Sequence, residues 1–199
     1  MNNIYVFDMG HVILKPSNLK GMFGEMETNC DYQTFKKLFY NSEYSNLVYS
    51  GKISDELFFG LIKIETGSKK TVKELKDLYI KYKGNLYEET IDIIRKLKEN
   101  NNIVCLLSNL KVIDYIYLSS IMDMNVFDKI YLSYNMGCAK PDIKIYQRVI
   151  DDLGTNRFYF FDDSIKNVNS ALSLGIDAVN VTGENIKEYF SKKLTMIKK

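Results

Sequence analysis

Cysteine is scarce in this chain, and the little there is does not pair. Cys30, Cys105 and Cys138 are odd in number, far apart and without a C-x-x-C spacing. That usage suits reduced thiols in a cytosol rather than a disulfide framework, and none of the three reads as a metal ligand. Histidine is rarer still, with His11 the only one in 199 residues. A charge excess is missing too. The 27 Lys and Arg against 25 Asp and Glu leave a net +2, so the field of the whole molecule gives no reason to expect nucleic acid or an acidic membrane surface as partner. The apolar stretch behind the opening Met-Asn-Asn is interrupted by Asp8 and has no basic region before it. This argues against a signal peptide and a membrane span, and a cytoplasmic protein is expected. No internal repeat, low-complexity tract or Pro/Gly/Ser-rich linker stands out.

What is present is a rhythm. Short apolar runs recur, IYVF before Asp8, IVCLL before Ser108, KIYLS before Tyr134, FYFF before Asp162 and AVNV before Thr182, with helical stretches between them. This is the pattern of parallel strands buried on both faces by helices, so the fold class is α/β. One helix is expected to place Ile91, Ile94 and Leu97 on the sheet, and another Ile165, Val168 and Leu172, with Gly175 as its stop. From about residue 17 to 85 the rhythm breaks into successive amphipathic segments with no convincing strand. TVKELKDLYIKY opens on a Thr71/Glu74 capping box with Val72, Leu75, Tyr79 and Tyr82 along one face, and SDELFFGLIK opens on Ser54 with Leu57, Phe58, Leu61 and Ile62. An inserted helical bundle over 15–85 is expected, with the core formed by 1–14 and 86–199. Its aromatics Phe58, Phe59, Tyr79 and Tyr82 read as bundle core, and Tyr44 and Tyr49 as better placed to face a ligand. The terminal FSKKLTMIKK reads as a basic helix end or tail.

In an open parallel sheet, ligands bind beyond the carboxyl ends of the strands. The residues that follow the apolar runs are Asp8, then Ser108 and Asn109, then Lys140, then Asp162 and Asp163. Three carboxylates, a hydroxyl and an ammonium therefore converge on one rim. Carboxylates from two strands can hold a hard cation such as Mg2+, while Lys140, Ser108 and main-chain N–H groups suit a phosphate. Asp8 then faces an electrophilic phosphorus as nucleophile.

In these residues the chain resembles the haloacid dehalogenase superfamily, whose four motifs occur in order as FDMGHV, LLSNL, GCAKPDIKIY and FFDDSIKNVNSALSLGI. The branch it is most similar to is the phosphatases resembling bacterial glucose-1-phosphate phosphatase, which also read FD-x-G and carry a phrase like SGKISDELF. The resemblance implies a Rossmann-like doubly wound parallel sheet with an inserted helical-bundle cap, and a Mg2+-dependent phosphatase acting on a small-molecule phosphate ester. It implies that Asp8 attacks phosphorus and forms an aspartyl phosphate. Asp8, the Gly10 carbonyl and Asp163 would bind Mg2+, with Asp162 acting through water or a hydrogen bond. Ser108, Asn109 and Lys140 would hold the phosphoryl group. Lys140 is expected to be extended, with Pro141 opening the next helix, and Asn167 to orient Asp163.

One position departs from the family. Most of its phosphatases have a second Asp two residues after the nucleophile, as general acid and then base, and here it is Gly10. General acid/base help is worth roughly 100- to 10,000-fold, so substrates with a weakly basic leaving group, anomeric sugar phosphates or acyl phosphates, are expected. Strand alternation past Asp8 would turn His11 away from the site, leaving it a structural or phosphate-adjacent role. Two other functions stay open here. A hydrolytic 2-haloacid dehalogenase also uses an aspartate nucleophile and lacks the second Asp, but needs no metal and no acidic pair. A non-catalytic phosphate- or protein-binding module would keep the fold without turnover.

Overall fold

The computed structural model describes residues 2–197. Strand β1 (Ile4–Phe7) leads into five helices, α1 (Leu19–Glu25), α2 (Tyr32–Asn41), α3 (Glu43–Tyr49), α4 (Asp55–Thr66) and α5 (Val72–Lys81). The chain then alternates through α6 (Glu88–Glu99), β2 (Ile103–Ser108), α7 (Val112–Ile121), β3 (Lys129–Leu132), the short α8 (Ser133–Met136), α9 (Ile143–Leu153), β4 (Tyr159–Asp162), α10 (Ile165–Leu172), β5 (Asp177–Asn180) and α11 (Ile186–Ile197). All five strands run parallel in the order β3-β2-β1-β4-β5. The apolar runs are continuous because alternate residues of each strand enter opposite layers. Phe7, Leu106 and Phe161 pack with Ile91 and Ile94 of α6 on one face, while Val6, Cys105, Leu107 and Phe160 pack with Tyr146 and Val149 of α9 on the other. All three cysteines are free thiols, and Cys105 and Cys138 are buried. No helix among the described residues is long and apolar enough to cross a membrane.

Helices α1–α5 build a separate apolar cluster around Phe35, Phe39, Phe58, Phe59, Leu75 and Tyr79. The two crossings between this bundle and the sheet run against each other. The Lys15 N–H donates to the Asn85 carbonyl and the Asn18 N–H to the Tyr82 carbonyl, both at 2.8 Å. A Cβ on Gly84 would lie 2.0 Å from the Lys15 carbonyl oxygen, so only glycine permits this approach.

Several expected faces turn out differently. In α10 the buried residues are Val168 and Ala171, while Ile165 and Leu172 are exposed. Val168 and Ala171 set the inward direction, and at the helical repeat Ile165 and Leu172 lie about 70–90° round the helix from it, on its flank. In α4 the inward residues are Phe58, Phe59 and Ile62, and Leu57 is exposed. Pro141 does not open α9. That helix starts at Ile143 behind Asp142, whose side chain accepts from the Lys144 N–H, and the Lys140–Pro141 bond is cis. The terminal FSKKLTMIKK belongs to α11 as far as Ile197, and Lys198 and Lys199 lie outside the described residues.

Candidate active site

The central strand sets the floor of the site. Phe7 is level with Leu106 of β2 and Phe161 of β4, so Asp8 leaves β1 beside the ends of both neighbours, and its N–H donates to the Phe161 carbonyl at 2.8 Å. Ser108 Oγ donates to Asp8 Oδ1 at 2.7 Å, and Lys140 Nζ lies 2.8 Å from the same oxygen. The other protons of that ammonium go to Asp162 Oδ2 at 2.6 Å and the Leu107 carbonyl at 2.9 Å, so all three are used. Lys140 sits on a loop, and Asn109 holds it there. Its Oδ1 accepts from the Lys140 N–H at 2.9 Å and its Nδ2 donates to the Lys140 carbonyl at 2.8 Å. The Asn109 side chain therefore positions the lysine, which leaves its main chain for a phosphate.

Asp162 is wholly buried, and both of its oxygens are taken. Oδ1 accepts from the Ser164 N–H and Asn167 Nδ2, and Oδ2 from Lys140 and again from Asn167. Asn167 thus orients Asp162 and not Asp163. The Ser164 N–H folds the Asp162 carboxylate back under the first turn of α10, within reach of the amide. Asp163 is more open, and its Oδ2 lies 3.3 Å from His11 Nδ1. His11 is there because the strand does not continue. Ile13 and Leu14 both donate to the Met9 carbonyl, His11 adopts a left-handed φ of 59°, and the turn swings its ring toward Asp163.

Carboxyl oxygens of Asp8, Asp162 and Asp163 lie within 4.8 Å of one another, and one ammonium stands against the three. Burial pushes Asp8 up to about 6, with Lys140 opposing and Asp162 adding to the rise, and burial likewise raises Asp163. Burial also works against the Lys140 charge, but Asp162 and Asp8 outweigh it and hold the ammonium protonated. Hard oxygen donors with surplus negative charge fit a divalent cation such as Mg2+.

The bundle supplies the opposite wall. A cavity of about 160 Å3 runs from Asp8, Ser108 and Lys140 to Tyr40, Tyr49, Tyr79, Lys83 and Asp114. Tyr49 faces the cavity as expected. Tyr44 does not, its hydroxyl donating to Glu65, while Tyr79 belongs to the bundle core and still presents its hydroxyl. Asp114, buried at the start of α7, accepts from the Tyr79 hydroxyl at 2.5 Å, from Lys83 and from the Lys111 N–H. It thereby ties α7 to the bundle. Tyr40, Lys83, Lys111 and Asp114 escaped the sequence reading. Their one signal is the spacing of Lys111 and Asp114 at a helix start.

Burial pushes Asp114 up, but the ammoniums of Lys111 and Lys83 outweigh it and hold the carboxyl below its ordinary 3.8. A depressed pKa contributes stability above the ordinary value, and that contribution is lost as pH falls below it. Asp114→Asn strands two buried ammoniums and is expected to cost about 3–5 kcal/mol at pH 7. The check is thermal unfolding of both proteins. A lower melting temperature for the variant at pH 7, with the gap narrowing below about pH 4, is expected, whereas equal stabilities at pH 7 would refute it.

A family model described as haloacid dehalogenase-like hydrolase matches residues 19–181. A drimenol cyclase of Aspergillus calidoustus is 36% identical over 92 residues, 43% of this chain and 17% of that protein. A sesquiterpene phosphatase of Aspergillus oryzae is 28% identical over 93 residues, 45% of this chain and 47% of that protein. The matches therefore span less than half the length of either curated relative. Among solved structures, a HAD family enzyme of Bacteroides thetaiotaomicron in complex with magnesium and inorganic phosphate superposes with a TM-score of 0.78. It is 22% identical, and the match covers 92% of this chain and 96% of that one.

Proposed function

The chain belongs to the haloacid dehalogenase-like hydrolase family, and from that premise we propose that it is a Mg2+-dependent phosphatase of small organophosphates with Asp8 as nucleophile. The observation that carries this is the convergence on Asp8 Oδ1 of the Ser108 hydroxyl and the Lys140 ammonium, with two further carboxylates behind. Asp8 and Asp163, with the Gly10 carbonyl, would hold the cation, and Asp162 would fix Lys140. Bound there, Mg2+ would offset the charge of a phosphoryl group beside an anionic nucleophile.

The chain's own groups account for the rest. The Asp8 carboxylate attacks phosphorus, the bond from phosphorus to the leaving oxygen breaks, and water then cleaves the aspartyl phosphate. The Ser108 hydroxyl and the Lys140 proton that meet Asp8 Oδ1 would turn to the phosphoryl oxygens and hold them through both steps. Gly10 offers no proton to the departing oxygen, so anomeric and acyl phosphates are the favoured class. The Aspergillus oryzae relative is named for a sesquiterpene substrate. Pockets that take drug-sized ligands measure about 300 Å3 or more, against about 160 Å3 here, so the cavity favours a compact leaving group.

Phosphate release from acetyl phosphate, glucose 1-phosphate and glycerol 3-phosphate, with and without Mg2+, tests the proposal. Release that needs Mg2+ and is slowest on glycerol 3-phosphate is expected. No metal-dependent release from any of them would point to a binding module, and halide release from 2-chloropropionate without metal to the dehalogenase reading.

A further inference from the structure

Two buried lysines, Lys83 on the bundle end of the cavity and Lys111 behind it, share one carboxylate. Lys83 Nζ donates to Asp114 Oδ1 and, at 2.7 Å, to the Tyr79 hydroxyl, while Lys111 Nζ lies 3.4 Å from Asp114 Oδ2 and 3.3 Å from the Tyr49 hydroxyl. The remaining acid nearby is Asp55. It accepts from the Ile113 N–H at 2.6 Å and makes no ion pair with either lysine among the described residues. Asp55 is near enough to feel the Lys111 charge, so its carboxylate supports Lys111, while Lys83 has only its share of Asp114, in surroundings where a poorly paired charge is costly.

The two ammoniums are not equivalent. Lys111 is fully buried away from the cavity, 4.7 Å from the centroids of both the Tyr49 and Tyr79 rings and 5.2 Å from that of Phe39, so an aromatic cage absorbs part of its charge. Lys83 lines the cavity beside Tyr40 and Tyr49, with Lys15 at the rim. Burial and the neighbouring Lys111 ammonium work against its charge and Asp114 supports it, with the net direction downward. The far end, by contrast, holds three carboxylates against Lys140 and suits a cation and a phosphoryl group.

We infer that the bundle end binds a second anionic group, a carboxylate or a second phosphate, carried on the leaving group of the substrate, with Lys83 as its charged partner and the hydroxyls of Tyr40 and Tyr49 as donors. Calling that molecule a substrate rests on the phosphatase reading. The placement of its second charge rests on Lys83. Tyrosine hydroxyls can donate, and Lys83 lines the same cavity as Asp8, so one molecule can reach both ends.

The test compares 3-phosphoglycerate with glycerol 3-phosphate, a pair of similar size in which only one carries the second acid. Binding to the Mg2+-loaded Asp8→Asn protein is measured by calorimetry, which requires no turnover. At least about tenfold tighter binding of 3-phosphoglycerate is expected, the range of one charge-assisted hydrogen bond, and in Asp8→Asn/Lys83→Met the ratio should fall to near one. Lys83→Arg in the same background should keep the preference. Equal binding of the two compounds before Lys83 is altered, or an unchanged preference after Lys83→Met, would overturn the inference. The first comparison stands even if the double variant does not fold. Acetyl phosphate turnover by the wild type is a separate arm. Its absence would sink the phosphatase reading while the calorimetric ratio still decides the role of Lys83.

Discussion

Asparagine at position 8 is expected to lower Mg2+-dependent phosphate release by at least about 10,000-fold and, without metal, to raise the melting temperature. The two effects have one cause. The Asp8 carboxylate is the group aimed into the cavity from the end of the central strand, so its amide can occupy the same space without attacking phosphorus. Its charge is also a liability to the metal-free fold, because Asp8 and Asp162 are buried together on one ammonium. Burial raises the Asp8 pKa from 3.8 to about 6, so keeping it ionised at neutral pH costs about 3 kcal/mol. For a carboxyl raised in the folded state, the penalty is absent below the ordinary pKa and grows as pH rises through the folded one. The advantage of Asp8→Asn should therefore open between about pH 4 and 6 and shrink when Mg2+ is added to both proteins. Thermal unfolding across that range, with phosphate release at pH 7, checks both halves. Residual activity within tenfold of wild type would remove Asp8 as nucleophile, and a variant less stable than wild type at pH 7 would refute the charge argument.

Most of the floor of this site was legible in the sequence because each of its residues hangs on the end of a strand. IYVF, IVCLL and FYFF announce themselves by composition, and a parallel sheet then brings Asp8, Ser108 and Asp162 to one rim whatever the helices do. Lys140 lies on a loop, and it is placed by the Asn109 amide that follows β2. What sequence spacing misread was local geometry just past a strand. Alternation put His11 on the wrong side because it assumed extended backbone where the chain enters a left-handed turn. Helical spacing from Asp163 pointed Asn167 at that residue, while the carboxylate folded back by the Ser164 N–H was Asp162.

Tyr49 apart, the bundle wall was illegible for a different reason. Tyr40 and Tyr49 lie on or just inside α2 and α3, Tyr79 on α5, Lys83 in the second crossing and Asp114 on α7. Nothing in the sequence relates them, because tertiary packing alone assembles five segments around one carboxylate. A lysine read alone is a solvated surface residue by default. Only the fold reveals that Lys83 and Lys111 are both buried and share Asp114.

Gly10→Asp is expected to raise kcat on glycerol 3-phosphate by about 100-fold and on acetyl phosphate by less than about threefold. The room exists. A Cβ built on Gly10 meets only Asp8 Oδ2, at 3.8 Å, and Gly10 is not among the glycines with a left-handed φ, so a side chain can start there without backbone strain. A carboxyl there can donate a proton to a departing alkoxide and later take one from the attacking water. The first service matters for a basic leaving group and hardly at all for a carboxylate, which departs without a proton. The contrast between the two substrates, rather than either rate alone, is therefore the diagnostic. The added acid brings a further negative charge beside Asp8, so the assay is done at saturating Mg2+. If both substrates accelerate equally, the new carboxyl is acting on a step they share, such as hydrolysis of the aspartyl phosphate. If neither changes and the wild type already cleaves glycerol 3-phosphate as fast as acetyl phosphate, another group supplies the proton. His11, whose Nε2 is free among the described residues while Nδ1 faces Asp163, and Lys83 both line the cavity that holds Asp8, and whichever of His11→Ala and Lys83→Met removes the donor would lose glycerol 3-phosphate turnover ahead of acetyl phosphate turnover.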